Sequence, residues 1–204
     1  MALTGLFLCA FLCEHLYGNL LLYKNDGGTA FNGYCEDMAS NILIRTVEIF
    51  LFAGIIFHAI DGLILTLQNH KARPVKYAVN KSSENSNWFS RNMGLTGSII
   101  LIFLVLHLRT FFVGIRILDE HQGNMYAGVI DAFQQWWYSG IYTLAMIFLG
   151  AHLNHGFQSA FQTLGVNNKK YAPILKMLGS GFAIIMAVGF ASFPIIFYFN
   201  LLGR

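Results

Sequence analysis

The stretch that decides the fold lies at residues 93–114 and reads MGLTGSIILIFLVLHLRTFFVG. It carries one charged side chain, Arg109, and its length is close to the roughly 20 residues with which a helix crosses about 30 Å of hydrocarbon. A run this long and this apolar is not typical of the surface of a water-soluble domain. The stretch therefore predicts a transmembrane helix.

Four further stretches have the same character. They cover approximately residues 2–22, 41–67, 136–161 and 174–202. The whole chain is 55% hydrophobic and only 11% charged, which excludes an ordinary soluble domain. None of the stretches alternates apolar and polar residues as a barrel strand would. The sequence therefore predicts an all-α integral membrane protein, in which residues 1–204 form a single domain, a bundle of five transmembrane helices.

Several classes of function are excluded by what the sequence lacks. Cys9, Cys13 and Cys35 do not have the spacing of a disulfide framework, a zinc site or an iron–sulfur cluster. A glycine-rich nucleotide fingerprint is also missing, so flavin or nicotinamide chemistry would have to come from another chain. The net charge of +3 is explained by membrane topology, and a nucleic acid partner is not expected.

The basic residues indicate the orientation. Most of them lie between the second and third stretches or between the fourth and fifth: Lys71, Arg73, Lys76, Lys81, Arg91, Lys169, Lys170 and Lys176. Short loops rich in Lys and Arg face the cytoplasm, so the N-terminus is predicted to be cytoplasmic. The aromatic residues Trp136, Trp137 and Tyr138 then fall at the outer interface, and Trp88 at the inner one.

Histidines recur in the apolar stretches. His15, His58, His107 and His152 lie one in each of the first four. A polar ring in hydrocarbon is costly, and such residues usually face the bundle interior and mark a cofactor, an ion or a proton path. A simpler interpretation is that each ring only forms a hydrogen bond with a neighbouring helix. One histidine on each of four successive helices favours a shared cofactor.

The depth of each histidine predicts how they pair. Consecutive helices run in opposite directions, and each residue advances about 1.5 Å along the axis. His58 and His152 are then expected on the cytoplasmic side of the midplane, and His15 and His107 on the outer side. Each pair can clamp one haem iron from both faces, which predicts two b-type haems stacked across the membrane.

Glycines support the choice of ligands. Gly62 follows His58 by four residues and Gly156 follows His152 in the same way, so each lies on the helix face of its histidine and lets a flat porphyrin approach the backbone. Glycine is also common in membrane helices for packing reasons. The repetition favours His152 over His155 as the ligand, and His155 remains the alternative.

Arginines near the helix ends are candidate partners of the haem propionates. They are Arg45, Arg91 and Arg109. Arg45 has a competing interpretation, because Glu48 lies three residues further along the helix and can form an internal ion pair with it. His70 and His121 are expected in solvated loops.

The segments MALTGLFL, EHLYGNL, EIFLFAGIIFHAIDG, LTGSIILIFLVLHLRTFF and AHLNHGFQSAFQTLG, together with the five-helix layout, resemble a known family. The chain is similar over essentially its whole length to the diheme cytochrome b membrane anchors (b558 type) of succinate dehydrogenases and fumarate reductases. The resemblance implies that His58 and His152 hold the proximal haem, and His15 and His107 the distal one. The family has a short basic leader before its first helix, and the printed sequence, which starts at Met1, does not show one.

The resemblance also implies a function and partners. The chain would anchor a flavoprotein subunit and an iron–sulfur subunit on the cytoplasmic face of a bacterial inner membrane. It would pass electrons between the iron–sulfur subunit and a membrane quinone, preferably menaquinone on the outer side, while succinate chemistry occurs elsewhere. The alternatives are a diheme cytochrome b of a hydrogenase or formate dehydrogenase, and a histidine-containing proton channel or transporter. Inverted repeats and broken helices would favour a transporter, and neither is apparent.

Overall fold

The structure is a computed structural model that describes residues 1–72, 91–166, 168 and 170–203. This part of the chain is helical and contains no β-strand. Its α-helices are α1 (Ala2–Leu20), α2 (Thr29–Ser40), α3 (Ile42–Lys71), α4 (Met93–His107), α5 (Met125–Gln134), α6 (Trp136–Thr163) and α7 (Ala172–Tyr198). A 3-10 turn, Leu21–Tyr23, extends α1, and a π-helix, Leu108–Ile117, extends α4. The predicted all-α class is confirmed.

Four helical stretches of the described chain are long and apolar enough to cross a membrane. They are Ala2–Tyr23, Ile42–Lys71, Met93–Ile117 and Ala172–Tyr198. The sequence predicted five spans, and the fourth of these, residues 136–161, is not in this set. Helix α6 does form where the fourth span was predicted, but it does not belong to this set, because polar residues such as Asn154 and Gln158 interrupt its apolar character. The fold is therefore an all-α one with four candidate membrane spans.

The helix boundaries differ from the prediction at several points. Helix α3 continues to Lys71, so His70 lies in its last turn rather than in a loop. The connections before α3 and α6 are not simple loops, because they contain the short helices α2 and α5. Some residues of the topology prediction lie outside the described part of the chain: Arg73, Lys76, Lys81, Trp88 and Lys169.

Contacts between the helices fix their relative directions. Gly5 of α1 lies against His58 of α3, and Gly54 lies against Phe7, so these two helices are antiparallel. Gly94, at the start of α4, lies against Thr66, near the end of α3, so these two helices are also antiparallel. The same relation holds for α4 with α6, where Thr96 contacts His152 and His107 contacts Tyr142. Each long helix thus runs opposite to the long helix before it.

Helix α6 is the most enclosed of the long helices. Seven of its residues are buried, compared with one, Gly54, in α3. It packs against α1, α4 and α7, and Asn154 in its second half accepts a hydrogen bond from Ser180 of α7 at 2.9 Å. By contrast, Ile49 of α3 and Ile102 of α4 are 70% and 72% exposed, as expected for side chains that face lipid. Asn154, a polar residue of α6, therefore has a partner on the neighbouring helix.

The order of elements repeats. A long helix, a short helix, one extended residue and a second long helix occur in residues 2–71, and the same order occurs in residues 93–163. The extended residue is Asn41 in the first unit (φ −76°, ψ 116°) and Gln135 in the second (φ −78°, ψ 115°). Because α1 and α4 both run opposite to α3, the two units are related in parallel, not by inversion. Helix α7 follows the second unit, and the described residues show no counterpart of it after the first unit.

Candidate functional site

The histidines of α3 and α6 meet inside the bundle. The ring centres of His58 and His152 are 6.2 Å apart and the ring planes are inclined by 75°. A metal–nitrogen bond of about 2 Å on each side, with about 1.1 Å from nitrogen to ring centre, gives about 6 Å between two imidazoles that share one metal ion. The separation therefore suits two imidazoles that would share one metal ion. We name these residues the inner pair, following the predicted orientation.

The histidines of α1 and α4 form a second pair. The ring centres of His15 and His107 are 5.8 Å apart, with planes inclined by 87°. We name these residues the outer pair. Aromatic rings surround it: Phe11 stacks on His15 at 5.2 Å, and Phe190 of α7 lies 5.6 Å from the same ring. Phe103, Phe111 and Tyr142 contact His107 in the same way.

The two pairs lie at different levels of the bundle. In α1, Thr4 contacts His58 of the inner pair, whereas His15 belongs to the outer pair. Eleven residues separate Thr4 from His15, which corresponds to about 16 Å of helix. Helix α4 has the same arrangement, because Thr96 contacts His152 and is eleven residues before His107. The centres of the two pairs are therefore separated by about 16 Å along the helix axes.

The second nitrogen of three of the four rings has a hydroxyl partner. Nδ1 of His58 lies 3.2 Å from the Thr4 hydroxyl, and Nδ1 of His152 lies 3.4 Å from the Thr96 hydroxyl. Nδ1 of His107 lies 3.1 Å from the phenol oxygen of Tyr142. A partner on one ring nitrogen is typical of histidines that bind a metal through the other, because it fixes the orientation and tautomer of the ring.

Other predicted site residues lie near these pairs. A Cβ at Gly156 would meet no other atom within 4 Å, whereas one at Gly62 would lie 3.2 Å from the Met1 methyl carbon. His155 is partly buried, and the ring that faces His58 is that of His152. The roles of the four histidines as iron ligands, and of both glycines as porphyrin contacts, stay predictions.

The predicted propionate partners have different surroundings. Arg45 donates from Nη1 to both carboxylate oxygens of Glu48, at 2.9 and 2.8 Å, so the ion pair considered as its alternative role is present. Arg109 lies 3.7 Å from a Glu120 oxygen and is more than half exposed. Arg91 is exposed, two residues before α4 begins. His121 lies in a turn, as predicted, but it is only partly exposed, and its Nε2 lies 3.2 Å from Asp131.

Sequence reasoning missed Thr4, Thr96 and Tyr142. A signal for the threonines was present in the sequence, since residues 2–16 read ALTGLFLCAFLCEHL and residues 94–108 read GLTGSIILIFLVLHL. Leu-Thr-Gly occupies equivalent positions near the start of both segments, residues 3–5 and 95–97. A histidine follows each threonine by eleven positions. The second histidine of each unit also recurs, 17 positions after the extended residue and four before a glycine. Each pair therefore joins equivalent residues of the two units.

A carboxylate lies beside the outer pair. Glu14, next to His15, accepts a hydrogen bond from the phenol of Tyr34 on α2. Burial, followed by this bond to Glu14, raises the pKa of Tyr34 above its usual value. Burial also raises the pKa of the neighbouring Cys35 thiol from 9.0 to about 11, with Arg116 opposing the shift. Both groups are therefore neutral at physiological pH.

Comparisons with known proteins do not add to this geometry. No protein-family model matches the chain, and no match to a curated protein or to a solved structure was found.

Proposed function

We propose that this chain is a diheme cytochrome b that serves as membrane anchor and electron-transfer subunit of a succinate:quinone oxidoreductase. The observation that carries the proposal is the arrangement of His15, His58, His107 and His152 in two pairs with the spacing of axial ligands to a shared iron. The choice of succinate among possible electron donors comes from the sequence resemblance. The chain itself does not carry out dicarboxylate chemistry.

The proposed protein has five membrane spans, with α6 as the fourth. Its 28 residues correspond to about 42 Å of helix, which is enough to cross the hydrocarbon. It runs antiparallel to the candidate spans α4 and α7 and packs against both. Polar residues are accepted in a membrane helix where they face the bundle interior, as Asn154 does. A helix in this central position can therefore span without being uniformly apolar.

The proposed location is a bacterial inner membrane, with the N-terminus in the cytoplasm. Lys71 and Arg91 at the ends of α3 and α4, and Lys170 and Lys176 near the start of α7, are on the side that the positive-inside rule assigns to the cytoplasm. The same side would receive the flavoprotein and iron–sulfur subunits. Electrons would then enter at the inner pair and move to the outer pair.

The residues present fit a haem at each pair. The two imidazoles of each pair would hold the iron of a haem, which would supply a one-electron redox centre. The chain's own residues orient the imidazoles through hydroxyl contacts and exclude water with apolar and aromatic side chains. Arg109 and Arg91 would contact the propionates at the membrane edges.

Quinone chemistry is proposed on the outer side, near the outer pair, with menaquinone as the carrier. A quinone exchanges protons as well as electrons, so it needs an ionisable group close to a haem and a path to water. Glu14 is exposed and adjacent to His15, which suits this requirement. The large apolar surface of the bundle gives a lipid-soluble quinone access from the bilayer.

The proposal is tested by purifying the complex from its membrane and recording reduced-minus-oxidised spectra with haem quantification. Two b haems per chain are expected, together with succinate-dependent reduction of a menaquinone analogue. His58→Ala and His152→Ala should each remove the same haem, and His15→Ala should remove the other. His155→Ala is the matched control and should keep both.

Each outcome separates the alternatives. Two haems without a succinate-oxidising flavoprotein in the complex would refute the succinate assignment and favour a hydrogenase or formate dehydrogenase partner. Absence of any b-type absorption would refute the cytochrome proposal and favour a proton channel or transporter. Loss of haem in His155→Ala but not in His152→Ala would refute the ligand assignment on α6.

A further inference from the structure

We infer that Thr4 and Thr96 are positioning residues that fix the tautomer of the inner pair and thereby set the redox potential of the inner haem. This inference rests on the proposed function. It concerns residues that are not iron ligands and that act through His58 and His152.

Each of the two threonine hydroxyls has a single proton to donate. The Thr4 hydroxyl donates to the carbonyl oxygen of Met1 at 2.9 Å, and the Thr96 hydroxyl donates to the carbonyl oxygen of Met93 at 3.1 Å. A hydroxyl has one proton but two lone pairs. Once the proton is donated to the backbone, the oxygen can only accept from the neighbouring imidazole.

The consequence for the histidines follows directly. An imidazole that donates to a hydroxyl must carry its proton on Nδ1, and a neutral ring then has an unprotonated Nε2. Nε2 is therefore the nitrogen available to iron in His58 and in His152. A donated Nδ1 hydrogen bond also makes the imidazole a more basic ligand, which stabilises the oxidised iron.

Two independent features indicate that the contact between threonine hydroxyl and imidazole is a specific part of the structure. It occurs twice, at equivalent positions of the two units, with the same donation to the carbonyl three residues earlier. The Thr96 contact is also enclosed, because Thr96 has no exposed surface, whereas Thr4 is partly buried. With little water to replace the Thr96 hydroxyl, the imidazole of His152 depends on it for a hydrogen-bond partner.

The outer pair lacks this symmetry. Nδ1 of His107 faces a phenol, Tyr142, which also lies 2.9 Å from the phenol of Tyr138. The position equivalent to Tyr142 in the first unit is Glu48, which binds arginines. Loss of either threonine hydroxyl should therefore change the inner haem and leave the outer one unchanged.

The test is a redox titration of the purified complex, in which the two haems are followed separately by their optical bands. Thr4→Val and Thr96→Val remove the acceptor with little change in shape, so the midpoint potential of the inner haem should rise in each. The rise should be larger in the double variant. Thr4→Ser and Thr96→Ser keep the hydroxyl and should restore the wild-type value.

The matched control is Thr143→Val on α6. The Thr143 hydroxyl donates to the carbonyl of Ser139 at 2.8 Å, so the variant removes a similar helix contact away from the inner pair. It should leave both potentials unchanged. An unchanged inner potential in the Val variants, with both haems bound, would overturn the inference and leave the diheme proposal intact.

Other results are also decisive. If the Val variants bind no inner haem, the Ser variants decide, because retention of the haem supports a role for the hydroxyl and its loss contradicts one. A wild-type protein without haem would refute the proposed function itself. The two failures are thus distinguishable.

Discussion

Glu48 forms ion pairs with two arginines at the end of the bundle that holds the outer pair, and its substitution tests how much these ion pairs stabilise the fold. Its carboxylate lies 2.8 Å from Nη1 of Arg45 on the same helix and 3.0 Å from Nη1 of Arg116 in the π-helix. The Glu48 side chain is 18% exposed, and the two arginines are 44% and 30% exposed. In Glu48→Gln, the two guanidinium groups keep their positions but lose the negative charge between them.

The expected loss of unfolding free energy follows from the partial exposure of Glu48 and its two arginines. Fully exposed ion pairs contribute about 0.2–1 kcal/mol, and breaking a buried pair costs about 3–5 kcal/mol. An intermediate site with two hydrogen-bonded cations should therefore lose about 2 kcal/mol of unfolding free energy. For a chain of this size, that corresponds to a decrease of about 4–8 °C in melting temperature.

The assay is thermal unfolding of the detergent-solubilised protein, followed by intrinsic fluorescence at low and high salt. Glu36→Gln is the matched control, because Glu36 is an exposed acid on the neighbouring helix α2. In a double-mutant cycle, the effects of Glu48→Gln and Arg116→Gln on the unfolding free energy should not be additive. Equal melting temperatures for Glu48→Gln and the Glu36→Gln control would refute the reasoning.

Three further predictions concern other sites. Gly28 has φ +87° and a Cβ there would lie 2.6 Å from the Cβ of Tyr126, so Gly28→Ala should destabilise the protein by about 2–3 kcal/mol, measured by the same unfolding assay. In a variant that keeps Cys35 as its single cysteine, alkylation by iodoacetamide should rise with pH toward a midpoint of about 11; a midpoint near 9 would contradict its burial. Tyr142→Phe removes the partner of His107 and should change the potential of the proposed outer haem alone, as seen in the redox titration; a change in the proposed inner haem would contradict this arrangement.

The parts of the fold that could be predicted depend only on where apolar residues and histidines stand in the sequence. The order of the long helices followed from apolar runs, and the expected levels of the histidines followed from helix rise and alternating direction. The proximity of His15 to His107 and of His58 to His152 agrees with that reasoning. The Arg45–Glu48 pair was also within reach, because residues three apart on a helix are neighbours.

Other features could not be predicted by the same means. Helices α2 and α5 have moderately polar sequences in which no long apolar run marks a boundary. The contact of Arg116 with Glu48 depends on a π-helix, which changes the direction in which residues 108–117 point relative to an α-helix. The hydroxyl contacts of Thr4 and Thr96 could be predicted only from the direct repeat of residues 2–16 in residues 94–108. An inverted repeat would not relate these two segments.

The repeated unit has a consequence for the origin of the bundle. Because equivalent residues face each other in both pairs, the two iron positions would fall on an approximate dyad that relates residues 2–71 to residues 93–163. A peptide of half this length, associated with an identical copy, would already present both binding positions along its symmetry axis. In the single chain the two units need not be identical: Glu48 and Tyr142 differ at matching positions, and α7 follows the second unit. The two sides of the bundle can therefore carry different side chains although the histidine positions are related by symmetry.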